Sequence, residues 1–181
     1  MLDTIMIGRL GSVEIAAVGL GNQIFFILNM ILFGITSGGG VFIAQFWGKK
    51  DLAGIRKSLG LMTLIAFVVS FIFTIVCLLI PNQLIRLYSP DPQVIKVGGS
   101  YLRFVCLSYV PTAISFSITL ALRSTERVKL PLVCTSISLF TNLIANYLLI
   151  FVAGLGVIGA AIATVISRII ELVILATWSY S

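Results

Sequence analysis

The chain is 181 residues long, 59% hydrophobic and only 10% charged, with a formal net charge of +6 at pH 7; its mean hydropathy of +1.16 excludes a water-soluble globular domain and marks an all-α membrane protein. At about 20 residues per helical crossing there is room for roughly five or six spans, with no soluble domain beside them. The basic residues are scattered in ones and twos between apolar runs, which argues against a nucleic-acid partner, and the absence of histidine excludes His-ligated metals and a Ser-His-Asp triad.

Taken in chain order, "MLDTIMIGRLG" (residues 1–11) has no basic n-region and does not read as a signal peptide. As a helix it would cover only about 16 Å, half of a bilayer core. It is expected to be a helix 1 remnant, the back half of a span whose front is missing. Charge-free stretches then predict spans at 16–46, 58–80, 99–121, 130–153 and 157–178, each long enough to cross. The last two are parted by "AGLG" (153–156), where glycines favour a tight turn and a helical hairpin.

The "SGGG" run at 37–40 is expected to let helices approach closely; no strand precedes it and no GK[ST] follows, so it is not a phosphate loop. Pro131 marks a helix start, whereas Pro111, inside a span, removes a backbone hydrogen bond and is expected to kink it. Cys77, Cys106 and Cys134 all lie in apolar spans without CxxC spacing and read as small buried hydrophobes. Arg168 and Glu171, spaced i, i+3, read as a self-neutralising surface pair with the arginine snorkelling.

Loop charge sets the expected orientation. "GKKDLAGIRK" carries Lys49, Lys50, Arg56 and Lys57, and "RSTERVK" carries Arg123, Arg127 and Lys129, so both connections are expected on the cytoplasmic side. The 81–98 connection and the 154–156 turn then lie outside. The chain ends near Trp178 and Tyr180 on the cytoplasmic side, residues suited to an interface.

Polar groups inside lipid are costly and therefore informative. Asn142 and Asn146, at i and i+4, share one helix face. Across the hairpin, Thr164 with Ala160 one turn before it lies at a comparable depth, roughly 12 Å from the 154–156 turn, and Asp3 lies about as far from Gly11. A carboxylate, two carboxamides and a hydroxyl form an all-oxygen set suited to Na⁺ or to a proton carried by Asp3. The amides admit two readings from the residues alone, cross-helix hydrogen bonds or neutral cation ligands. No nucleophile with a base, metal cluster or cofactor motif occurs, so an enzyme is not expected, nor any cofactor besides Na⁺ or H⁺ as coupling ion.

The runs "DTIMIGRLG…AAVGLGNQ…AQFWGKKD", "IPNQLIRLYSPDPQVI…YLRF", "LRSTERVKLPL" and "TNLIANYLLIF…GLGVIGAAIATVIS" resemble the multidrug and toxic compound extrusion (MATE) transporters over essentially the whole chain. The resemblance implies one domain over residues 1–181: a polytopic helical bundle forming the N-terminal six-helix lobe of a twelve-helix transporter, with helix 1 truncated and the C-terminal lobe missing. By that resemblance Asp3 matches the acid of helix 1, Asn142 and Asn146 the polar pair of helix 5, and Ala160 and Thr164 positions of helix 6, together a cation-binding site. Some members carry an acid where this chain has Asn146, which lowers the charge of the site.

The implied function is Na⁺- or H⁺-coupled antiport of organic cations and drugs by alternating access in a multi-pass protein of the bacterial cytoplasmic membrane. The amides then read as cation ligands that collaborate with Asp3. Partners would be the lipid bilayer, organic-cation or drug substrates and the missing lobe. The alternatives are a lipid-linked saccharide flippase of related fold and a non-transporting truncated fragment.

Overall fold

The computed structural model describes residues 11–179. Asp3, and the whole helix 1 remnant expected over residues 1–10, lie outside the described residues; so does Tyr180.

In chain order the elements are α1 (Ser12–Gly48), α2 (Leu52–Leu79), a short α3 (Pro81–Arg86), α4 (Pro92–Val105), a 3₁₀ turn (Cys106–Ser108), α5 (Tyr109–Ser124), α6 (Lys129–Asn146), a π-helical segment (Tyr147–Val152) and α7 (Gly156–Ser179). Among the described residues, five helical stretches are long and apolar enough to cross a membrane, with α4, the 3₁₀ turn and α5 forming one of them and α6 with its π segment another. Among the described residues there is no strand.

The helices outrun the spans expected from charge-free stretches. α1 covers Ser12–Gly48 rather than 16–46, and the third span is helical from Pro92 rather than from residue 99. Charge marks where lipid ends; helix ends are set by caps. Asp51 accepts from Gly54 N at 3.0 Å and starts α2, while Asp91 accepts from Gln93 N at 2.8 Å and starts α4 with Pro92 in the first turn, both ordinary N-terminal satisfaction of orphan donors. The 81–98 stretch, expected as a plain connection, is therefore largely helical.

Burial runs as a single stripe along α1 and α2, while the third span is packed on more than one face. On α1 it comprises Ala17, Gly21, Ile24, Leu28, Leu32, Thr36, Gly40 and Ile43, while Phe26, Met30, Phe33 and Phe42 on the other sides are exposed. A helix apolar all round with only one face packed on protein has the remaining faces in lipid. The main core gathers Ala17, Leu28 and Leu32 of α1, Leu102 and Tyr109 of the third span, and Ala160 and Ala161 of α7.

Close approach occurs where the glycine run predicts it. A Cβ on Gly39 would meet Met62 of α2, and one on Gly40 would meet Leu120 of α5; small residues let these helices meet without a hydrophobic driving force between them. The break expected at Pro111 appears as the 3₁₀ turn just ahead of it, since Pro111 has no N–H to offer the preceding turn. From α2, Thr74 Oγ1 reaches the Cys106 carbonyl at 3.1 Å and helps to satisfy the irregular backbone.

Candidate functional site: a polar seam between α6 and α7

The α6–α7 hairpin turns at Gly154 and Gly156, whose φ angles of 68° and 54° lie in the left-handed region that glycine enters without strain. Before that turn α6 changes to π-helical winding over Tyr147–Val152, with Ala153 N bonding back to Leu148 O at 2.8 Å. π segments inside α-helices occur frequently at functional sites, and this one follows directly on Asn146.

Two helices packed antiparallel present facing rows of polar residues. On α6 the row is Thr135, Ser138, Asn142 and Asn146; on α7 it is Thr164, Ser167 and Glu171. Spacings of three and four place each row on one face. At the end nearer the turn, Asn146, fully buried, donates from Nδ2 to Asn142 Oδ1 at 3.0 Å. Asn142 Nδ2 reaches Ser167 Oγ across the interface at 3.4 Å, and Ser167 Oγ in turn donates to Thr164 O at 2.9 Å. Thr164 Oγ1 is bonded to the Ala160 carbonyl at 3.0 Å, and Ala160 is fully buried.

The seam continues toward the other end. Ser138 Oγ contacts Ser167 O at 3.1 Å and Glu171 Oε2 at 3.4 Å. Thr135 Oγ1 donates to Glu171 Oε1 at 3.2 Å, and Arg168 Nη1 donates to Glu171 Oε2 at 2.8 Å. The expectation of a surface pair is thus corrected for its acidic half. The Glu171 side chain is 6% exposed against 34% for Arg168, because the carboxylate turns into the interface while the guanidinium alone extends outward. A buried charge persists where it is paired and hydrogen-bonded, and Glu171 has both kinds of partner.

Of the residues singled out in the sequence, Asn142, Asn146, Ala160 and Thr164 fall on this hairpin, with Asn142 and Thr164 linked through Ser167; Asp3 lies outside the described residues. The sequence reading passed over Thr135, Ser138 and Ser167. Their spacing from Asn142 and Thr164 carried the signal, but a hydroxyl that bonds its own helix costs little in lipid and does not stand out alone.

A sequence profile of the MatE family matches residues 1–148. The chain belongs to the MatE family. The matched region takes in Asn142 and Asn146, while Ala160 and Thr164 lie past its end. Among curated relatives, the "Probable multidrug resistance protein NorM" of Rhizobium meliloti is 28% identical over 167 residues, covering 89% of this chain and 35% of that protein. "Multidrug and toxin extrusion protein 1" of Xenopus tropicalis is 29% identical over 180 residues, covering 97% of this chain and 30% of that protein. The crystal structure of MATE in the bent conformation superposes with a TM-score of 0.92 at 22% identity, covering 98% of this chain and 40% of that chain. The fold is that of one lobe of a MATE transporter, a multi-pass membrane protein. The chain spans about a third of the length of these two curated relatives.

Proposed function

We propose that this chain is the N-terminal half of a cation-coupled multidrug antiporter, which exports organic cations by alternating access across a bacterial cytoplasmic membrane in exchange for Na⁺ or H⁺. The observation that carries the reading is the Asn146–Asn142–Ser167 chain of hydrogen bonds at the α6–α7 interface. Amide and hydroxyl oxygens held at one level of a transmembrane hairpin are suited to a hard monovalent cation. In this reading Asp3 supplies the negative charge, and Thr164 with the Ala160 carbonyl completes the oxygen set. Alternating access needs two bundles rocking about a midplane site, so a second lobe is the required partner.

The test is transport by the protein together with its second lobe, reconstituted in liposomes, with Na⁺ and pH gradients imposed separately and efflux of a fluorescent organic cation followed. One of the two gradients should drive efflux, and Asp3→Asn should uncouple it. Efflux that continues undiminished with both gradients collapsed overturns the coupling.

A further inference from the structure

At the end of the bundle bearing the α2–α4 connection, a cavity of about 470 Å³ opens between α3 and α4. Among the described residues its wall carries Arg86, Lys96 and Arg103, interleaved with the amides of Asn82 and Gln83 and with Ser100, whose hydroxyl donates to Lys96 O at 3.0 Å, and no acid. The three cations lie on two successive helices, and the fold brings them to one opening: Arg86 closes α3, while Lys96 and Arg103 lie on α4 at i and i+7. Two acids lie near this end: Asp91, between the lining prolines Pro90 and Pro92, caps α4 by accepting from Gln93 N, and Glu14 is the other. It shares two shallower hollows with Lys96, but among the described residues the one ion pair is Arg168–Glu171. Arg86 and Arg103 line neither of those hollows.

The expected orientation puts this end outside, where basic residues are disfavoured. Three of them converging there call for a local anion. Two guanidiniums and an ammonium beside amide donors match the oxygens of a phosphate group. Exposed apolar residues adjoin the lining in sequence: Leu79, 74% exposed, ends α2 just before α3; Leu87, 79% exposed, follows Arg86; and Phe104, exposed as well, follows Arg103. A charged cleft with an apolar skirt at the end of a membrane span fits a molecule that has a phosphate at one end and hydrocarbon at the other.

We propose that the Arg86–Lys96–Arg103 cavity is a binding site for a phosphate-bearing anion, seated as the headgroup of an anionic phospholipid whose acyl chains lie along Leu79, Leu87 and Phe104. The headgroup neutralises the three cations, and the chains cover the adjoining apolar surface. Neither role depends on the transport reaction.

The 181-residue chain, purified with phosphatidylcholine, is titrated with phosphatidylglycerol, and retained lipid is counted by native mass spectrometry. Phosphatidylglycerol should be retained in preference to phosphatidylcholine. Arg86→Gln/Lys96→Gln/Arg103→Gln should weaken its binding by about a hundredfold, each cation near the headgroup contributing roughly fivefold. The single variants Arg86→Gln and Arg103→Gln should show graded losses, so the result does not hang on the triple variant's folding. Arg123→Gln/Arg127→Gln/Lys129→Gln, which removes the same charge from the other end, is the control. Inorganic phosphate forms a second arm: displacement of the lipid assigns the cavity to the phosphate group itself, and persistence of the lipid assigns it to the whole phospholipid. Equal retention of the two lipids, or equal losses in the test and control variants, overturns the site.

Discussion

Asn142 Nδ2 and Ser167 Oγ lie 3.4 Å apart across the α6–α7 interface, and that contact couples the asparagine pair of one helix to the Thr164 turn of the next. Ser167 is buried and spends its own proton on Thr164 O. Its oxygen is thereby left to accept from Asn142, which fixes the amide's orientation and turns Asn142 Oδ1 toward Asn146. In the transporter with both lobes, Asn142→Ala and Asn146→Ala should each raise the Na⁺ concentration needed for half-maximal drug efflux. Ser167→Ala should do so more weakly, by about fivefold, the equivalent of one net hydrogen bond of roughly 1 kcal/mol. Unchanged Na⁺ dependence in all three variants would remove the amides from the ion site.

Glu171 makes a separate prediction, about stability. Arg168→Gln leaves its carboxylate buried with only the hydroxyls of Thr135 and Ser138 as donors. Loss of one partner from a fully buried pair costs about 3–5 kcal/mol; because Arg168 is a third exposed, about 2 kcal/mol is the expected loss here. Adding Glu171→Gln should recover much of it, since the uncompensated charge goes with the carboxylate. A double-mutant cycle read by thermal unfolding in detergent isolates the coupling. Strictly additive losses would show that the pair is no more than a surface contact.

The all-helical lobe was legible because its signals are large: long charge-free stretches, glycines at the 153–156 turn, and a helical hairpin whose polar residues recur every three or four positions. The amides of Asn142 and Asn146 stood out for the same reason, being costly where they sit. Glu171 did not, because Arg168 at i+3 spacing offers an exposed pairing by sequence alone, and nothing local says which of two paired side chains turns inward. The π segment over Tyr147–Val152 was equally silent. Its residues are ordinary apolar ones, and its close approach to Gly159 of α7 is a tertiary contact that no local pattern announces. α3 was missed because six residues cannot show a helical period, although Pro81 at its first turn was a start signal in plain view.

Sidedness is tested by single cysteines placed at Lys50, Asp91 and Arg127, with the native cysteines, all buried, as a low background. Five alternating spans put the connections after α1 and after α5 on one face and the α2–α4 connection on the other. Cysteines at 50 and 127 should react with an impermeant maleimide only after the membrane is opened, and one at 91 should react in intact cells. Labelling of 50 and 91 from the same face would mean that one of the five stretches does not cross.

Gly159 supplies the most local test of how the hairpin is built. A Cβ added there would lie 2.8 Å from Leu149 O and 2.9 Å from Leu149 C, and both are backbone atoms of the π segment, so no side-chain rotation relieves the contact. Leu149 O is already engaged by Leu155 N at 3.0 Å, which ties its position to the turn. Gly159→Ala must therefore push α7 away from the π segment, with an expected loss of about 1–3 kcal/mol, the usual cost of overpacking. Gly60→Ala is the matched comparison: it sits in α2 with open space where its Cβ would go, so helix propensity alone acts and stability should rise by up to about 1 kcal/mol. The displacement at Gly159 falls one helical residue from Ala160 and a short way along the same interface from Asn146, so Gly159→Ala should also weaken Na⁺ dependence in the transporter with both lobes, whereas Gly60→Ala should leave it unchanged. Equal thermal stability of the two variants would show that the π segment yields freely and does not hold Asn146 in place.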